Sequence, residues 1–298
     1  MDLDTILEGN VGDVALMLGN GINRYANAGA VNSWDDLLVE IARDCIPGLR
    51  QVPQGTALTE FYDVVELKSR ASTVDLQSEF CRSMTDWRPF VHHRRIMAWA
   101  ADKAVPVLTT NFDDVLAQAG ECRFQFPRDR KFTAYYPWGC HFARTLLDDP
   151  CGGFGIWHIN GMARYKTSIR LGLSHYMGSV QRARGWIHGR GDANLFRAKN
   201  RHDWHGARTW VHLVFNKRLL IIGLGLAENE VFLRWLLIER AKYFRAFPER
   251  RHDAYYVYVD DPRDERQAGK LFFLGAIGVH CIEVASHADI YENSGWRL

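Results

Sequence analysis

Short apolar runs closed by glycine, asparagine or aspartate recur along the chain. They are Val14-Ala15-Leu16-Met17-Leu18, Val105-Pro106-Val107-Leu108, Gly155-Ile156-Trp157-His158, Arg218-Leu219-Leu220-Ile221-Ile222, Ala254-Tyr255-Tyr256-Val257-Tyr258-Val259 and Gly278 to Val284. Continuous apolar runs of this length read as strands covered on both faces. Helical patterns stand between them. Ser33 caps a helix running from Trp34 to about Cys45, stopped by Pro47-Gly48. Phe112 to Ala119, a long segment carrying Val231, Phe232, Trp235, Leu236 and Ile238, and Gln267 to Phe273 also fit helices. Strands alternating with helices predict an α/β domain: a parallel sheet of about six strands with helices on both faces.

Two stretches interrupt that alternation. Residues 50–104 show no strand pattern, and Phe61, Val64, Val65, Leu67, Val91, Ile96, Met97 and Trp99 take helical spacing, so this span reads as a helical insertion. A second insertion, about 165–212, contains the basic segment 182–208, with seven Lys or Arg against Asp192 and Asp203. It also carries Trp186, Trp204, His188, His202 and His205. Interleaved aromatics and basics can bind single strands, but a solvated helical insertion or a subunit contact is the commoner outcome. Residues 121–153, rich in aromatics, Pro and Gly, read as loops around short strands. The whole chain, 1–298, is read as one domain with these insertions.

Composition narrows the class. A net charge of +2 gives no general case for nucleic acid. None of the six cysteines forms a C-x-x-C pair, which argues against a zinc ribbon and a thioredoxin-like site. No secretory segment opens the chain, and the most apolar stretch, Leu219 to Ala227, is too short to span a bilayer. A cytoplasmic protein with reduced thiols and no membrane contact is the expectation.

Candidate chemistry gathers at strand exits. Gly19-Asn20-Gly21-Ile22-Asn23-Arg24 follows the first strand, Thr110-Asn111-Phe112-Asp113 the second, His158-Ile159-Asn160-Gly161 the third and Gly223-Leu224-Gly225 the fourth. Open α/β sheets bind ligands at the carboxyl ends of their strands. Gly19 and Gly21 permit close backbone approach to a phosphate, although Arg24 stands where the dinucleotide fingerprint wants a third glycine. Arg24 offers charge-assisted contacts to that phosphate. Each feature has a plainer reading as well: Asn111 and Asp113 as helix caps, the glycines as tight turns, His158 as a strand-end histidine. Glu228 and Asn229 read as caps of the following helix, and Asp260-Asp261-Pro262 as a turn.

In order and type these motifs resemble the sirtuin superfamily, and most nearly its bacterial sirtuin-like NAD hydrolases of antiphage defence. The resemblance runs from Leu16 to about Glu283, and Thr110-Asn111-Phe112-Asp113 is its most specific part. It implies a Rossmann-like NAD-binding domain that splits NAD+ into nicotinamide and ADP-ribose, with NAD as substrate and no metal. The pyrophosphate would lie on Gly19, Asn20, Gly21, Asn23 and Arg24, with Thr110, Asn160, Gly223 and Gly225 completing the binding set. Asn111 would position the nicotinamide ribose or the attacking water, Asp113 the carboxamide, and His158 would act as base or orient the ribose. The family histidine stands directly before the glycine, where this chain has Asn160, so either His158 or Asn160 faces the reaction centre. Asn23 stands where sirtuins commonly carry Ser. A four-cysteine zinc module, typical of deacylating sirtuins, is missing, which disfavours deacylation. An NAD hydrolase free of control would kill its host. The resemblance therefore also implies gating, by homo-oligomer assembly, by a separately encoded sensor or regulatory protein, or by both. A non-catalytic NAD or ADP-ribose sensor is the alternative.

Overall fold

The computed structural model describes residues 2–25, 33–69, 75–127, 138–199, 201–228 and 230–297. Its strands are β1 (Val14–Leu18), β2 (Val107–Thr109), β3 (Arg123–Gln125), β4 (His141–Ala143), β5 (Ile156–His158), β6 (Arg218–Ile222), β7 (Ala254–Val259) and β8 (Val279–Val284). They form one sheet in the order β3-β4-β5-β2-β1-β6-β7-β8. The run from β5 to β8 is parallel throughout, and its strands are the ones that the apolar runs predict. The sheet has eight strands rather than about six, because β3 and β4 pair antiparallel along the β5 edge. Each has three residues, too few to show a period, and lies in the aromatic, Gly- and Pro-rich stretch.

Successive side chains of a strand point to opposite faces, and both faces here are apolar. Ala15, Met17, Leu108, Trp157, Leu219 and Ile221 join one cluster with Leu213, Phe232, Leu236 and Leu274 from the helices Trp210–Asn216, Val231–Ala246 and Gln267–Ala276. Leu16, Leu18, Val107, Ile156, Leu220 and Ile222 join the other with Leu3, Ile96, Trp99 and Leu116 from the helices Leu3–Glu8, Val91–Asp102 and Val115–Ala119. Each such side chain contributes roughly 1.5–3 kcal/mol when fully buried. That is why a sheet with so little polar alternation requires a helical layer on each side.

A third cluster sits apart from the sheet. Leu37 and Leu38 of Trp34–Ala42, Phe61 and Val65 of Leu58–Ser69, and Phe80 of Leu76–Ser83 pack with Phe112, Ile169 and Leu171. Phe112 follows β2 and Ile169 follows β5, so this helical cap adjoins the carboxyl edge of the sheet. The cap therefore draws on Trp34–Ala42 as well as on 50–104, while Val91–Asp102 of that same span lies against the sheet. The 165–212 span supplies Leu173–His188, Trp210–Asn216 and an irregular stretch between them. Among the described residues no helix is long and apolar enough to cross a membrane.

Chain order fixes where a crevice must open. From β1 the connections lead outward through β2 to β5, and from β6 they lead the other way through β7 to β8. The strand order therefore reverses between β1 and β6, and open sheets hold their ligand crevice at the carboxyl ends of the strands beside such a reversal. The opposite edge is closed by Arg240, which is buried in Val231–Ala246. Its Nη2 group donates to the carbonyls of Lys217 (3.2 Å), His252 (2.7 Å) and Asp253 (3.0 Å), at the starts of β6 and β7. Arg240→Met keeps the stem but strips these carbonyls of their donor. Urea denaturation should show a loss of about 1–3 kcal/mol, with any effect on ligand binding confined to that lost stability.

Candidate functional site

The two glycine turns meet backbone to backbone. Gly19 N–H donates to Ile222 O (3.0 Å) and Gly21 N–H to Gly223 O (2.8 Å). A Cβ on Gly19 would collide with the Gly223 carbonyl, and one on Gly21 would stand 2.7 Å from Gly223 Cα. Gly223 itself has φ +64°, the left-handed region that favours glycine. The glycines are thus required by the β1–β6 contact, and the Gly19 and Gly21 amides point into that contact.

Beside this contact lies a cavity of about 950 Å³ at the carboxyl ends of β1, β6 and β7. Asn20, Gly21, Arg24, Thr110, Gly223 and Gly225 all line it. So do Tyr291 and Glu230, two residues that the motif reading passes over. Arg24 and Lys270 give it cations, while Asp35, Asp36, Asp261 and Asp264 supply carboxylates suited to hydroxyls and amines. A smaller groove of about 530 Å³ is walled by Asp2, Asp4, Glu283, Asp289 and Glu292, the wrong charge for an anion.

Two polar atoms in the large cavity's wall are buried and have no hydrogen-bond partner among the described residues: Glu230 Oε2 and Tyr291 Oη. The Asn160 side chain stands beside the Glu230 carboxyl and favours its ionised form, while burial pushes that carboxyl up to about 7. Of the two residues that the motif left open after β5, Asn160 is therefore the one joined to the cavity wall.

His158 has a different task. It lies beside Thr109 in the β2–β5 register, and its Nδ1 donates to the Asn111 carbonyl at 2.7 Å. That bond leaves Nε2 as the lone-pair nitrogen, buried and without a partner among the described residues. Burial depresses the pKa of His158, and the nearby Asp114 carboxylate opposes the shift. Asn111 is fully buried, its N–H bonded to Thr109 Oγ1 (3.1 Å) and its Nδ2 3.5 Å from Gly19 O. Its Oδ1 has no partner among the described residues. Residues 111 and 158 thus meet, one layer behind the cavity wall that Thr110 forms.

Asp113 and Asn23 belong to a buried polar relay. The Phe90 N–H donates to His93 Nδ1 (3.1 Å), so Nε2 carries the proton and donates to Asn23 Oδ1 (3.0 Å). Asn23 Nδ2 donates to Asn20 Oδ1 (3.0 Å) and Asp113 Oδ2 (2.9 Å), and Asp113 Oδ1 accepts the Val115 N–H (2.9 Å). Beside it, His92 Nε2 donates to Ile22 O at 2.7 Å. Asp113 starts the helix Val115–Ala119 rather than facing the cavity. That is why this helix begins three residues later than the pattern predicts. His92 and His93 left only a faint trace in the sequence, two adjacent histidines at the start of a helix.

The basic segment turns its aromatics inward. Trp204 is buried and donates to His212 Nδ1 (3.1 Å), and Trp186 meets Trp138 edge-on at 4.8 Å. His188 pairs with Glu239. Arg182, Arg184, Arg190, Arg197 and Lys199 remain exposed without aromatic interleaving. Asp149, Cys151 and His212 bring three potential metal-ligand atoms within 4.8 Å of one another. However, His212 Nδ1 accepts from both Trp204 and Asn216, which places the ring proton on Nε2, the nitrogen a metal would need. Asn229 lies outside the described residues, and Glu228 is exposed, 4.0 Å from Arg266.

No protein-family model matches the chain, and no curated protein matches it.

Burial pushes His93 down to about 3 from 6.5. The unfolded chain protonates this residue below about 6.5 while the folded chain does not. The stability it contributes is therefore present above 6.5 and is lost as pH falls toward 3. Asp113 works the other way: burial raises it to about 6, so its ionisation removes stability as pH rises from about 4 to 6. His93→Gln cannot titrate. In urea denaturation it should be about 1–3 kcal/mol less stable than wild type at pH 7. It should also flatten the loss between pH 6.5 and 5 by up to about 1.4 kcal/mol per pH unit.

Proposed function

We propose that the chain is a sirtuin-like NAD+ glycohydrolase on a Rossmann-like fold, releasing nicotinamide and ADP-ribose. The observation that carries this reading is the coincidence of three things at one place. Counted along the chain, the six parallel strands run third, second, first, fourth, fifth, sixth. The large cavity opens where that order reverses, and both glycine turns and Thr110 line it. Dinucleotides bind at such a reversal.

In this reading the pyrophosphate lies against Asn20 and Arg24 rather than on the Gly19 and Gly21 amides, which β6 already holds. Cavity carboxylates accept ribose hydroxyls, and the nicotinamide ribose points toward Thr110 and Asn111. Nicotinamide leaves as a neutral molecule, so the protein has mainly to orient the glycosidic bond and a water. Positioning of this kind supplies roughly 7–11 kcal/mol in well-aligned systems. Asn111, with its unpartnered Oδ1, is the positioning amide, and His158 holds its backbone from behind. We further propose a cytoplasmic, gated effector of antiphage defence that depletes NAD+. Control comes from self-assembly or a separate sensor protein, and the exposed cations of 182–208 are the contact surface.

One observation favours a second reading, a non-catalytic NAD or ADP-ribose sensor. Asp113 and His158 are committed to scaffold bonds, and Asn111 is fully buried.

Full-length protein in its assembled form, together with its partner protein, should release nicotinamide from NAD+, and Asn111→Ala should cut that release by about 100-fold or more. Tight ADP-ribose binding in calorimetry with no nicotinamide released, even in the assembled form and with the partner protein present, would favour the sensor. Turnover untouched by Asn111→Ala would overturn the site assignment.

A further inference from the structure

Glu230 stands where the chain leaves the β6 turn for the helix Val231–Ala246, and it lines the large cavity. Its Oε2 is enclosed and has no hydrogen-bond partner among the described residues. An enclosed carboxylate oxygen without a donor costs stability, and the helix start gains nothing from it, because Glu230 makes no side-chain cap bond there. The Asn160 side chain, from the β5 exit, stands beside the same carboxyl and favours its ionised form. An acid at a cavity wall, with an amide beside it and one enclosed oxygen unspent, has the form of a proton acceptor waiting for a ligand.

We propose that Glu230 is the general base of this site and that Asn160 is its positioning residue. The role rests on the glycohydrolase reading. A water oxygen bonds to C1′ of the nicotinamide ribose as the C1′–N1 bond breaks, and the electron pair of that bond leaves with neutral nicotinamide. The water's proton passes to the Glu230 carboxylate and then to solvent, so NAD+ and water give ADP-ribose, nicotinamide and a proton. His158 does not compete for this step. Its Nδ1–H is committed to the Asn111 carbonyl, and it is not part of the cavity wall.

Burial holds the Glu230 carboxyl near 7, so at neutral pH much of it is ionised and able to accept. The other charged groups around the cavity are Arg24, Asp35 and Asp36 on one side, Asp261, Asp264 and Lys270 beyond β7, and His287 on the last helix. Burial raises the Glu230 carboxyl and the neighbouring Asn160 amide pulls it downward. Removing Asn160 should therefore raise the pH at which Glu230 ionises.

The test compares steady-state NAD+ turnover from pH 5.5 to 8.5 in full-length wild type, Glu230→Gln, Glu230→Asp and Asn160→Ala. Calorimetry with ADP-ribose checks the binding site of each. In wild type, kcat should rise with pH through about 7. Glu230→Gln should lower kcat by about 10²–10⁴-fold and abolish that rise, with KM changed less than about threefold. Glu230→Asp should keep the rise at a lower kcat, and Asn160→Ala should move it to higher pH. If Glu230→Gln keeps wild-type kcat, or loses activity through KM and ADP-ribose affinity alone, the general-base role is overturned while the hydrolase reading stands. A wild type that binds ADP-ribose but never releases nicotinamide, even assembled and with its partner protein, overturns both.

Discussion

The backbone amides of Phe90 and Val115 are the two ends of one buried line of hydrogen bonds, and the carboxyl edge of the sheet depends on it. Between them lie His93, Asn23 and Asp113, each donating or accepting in a single sense. The line joins the helix on one sheet face, the turn after β1 and the loop after β2. Buried polar groups left unpaired cost far more than paired ones gain, so the three elements hold one relative position. The cavity wall at Asn20, Arg24 and Thr110 inherits its shape from this relay.

The glycine contact between β1 and β6 supplies the second half of that shape. A side chain at position 19 or 21 would push the two turns apart, and the crevice at the reversal of strand order would lose one lip. Packing and chemistry thus meet in the same few residues. This explains why residues read as ligand contacts divide into two groups: Asn20, Arg24, Thr110 and Gly225 reach the cavity, while Gly19, Asn23, Asp113 and His158 hold the walls that do.

Much of this was legible in the sequence, and the gaps have physical causes. The six parallel strands announced themselves because a strand buried on both faces must be apolar along its length, as Leu219 to Ile222 are. β3 and β4 did not, because three residues carry no period and their pairing is settled by the β5 edge. The gathering of strand-exit motifs followed from the alternation of strands and helices. Their division of labour did not, because which face Asn160 or His158 presents depends on where the chain turns after β5. Glu230 escaped notice because an acid at a helix start reads as a cap, and only the enclosure of its carboxyl, with Asn160 alongside, marks it out. The inward packing of Trp204 and Trp186 was not legible, because aromatics interleaved with basic residues suit an outer contact as well as a core.

The relay runs in one direction only. His93 must give a proton at Nε2 because Phe90 fills Nδ1, so Asn23 must present its oxygen to the ring and its nitrogen to Asp113. Turning any single amide end for end would set donor against donor. Positions 23, 93 and 113 are therefore coupled like the teeth of a gear train. Such a chain can exchange these residues as a matched set, but a lone swap at one of them has no neutral path, and drift in this corner of the molecule must proceed in concert or not at all.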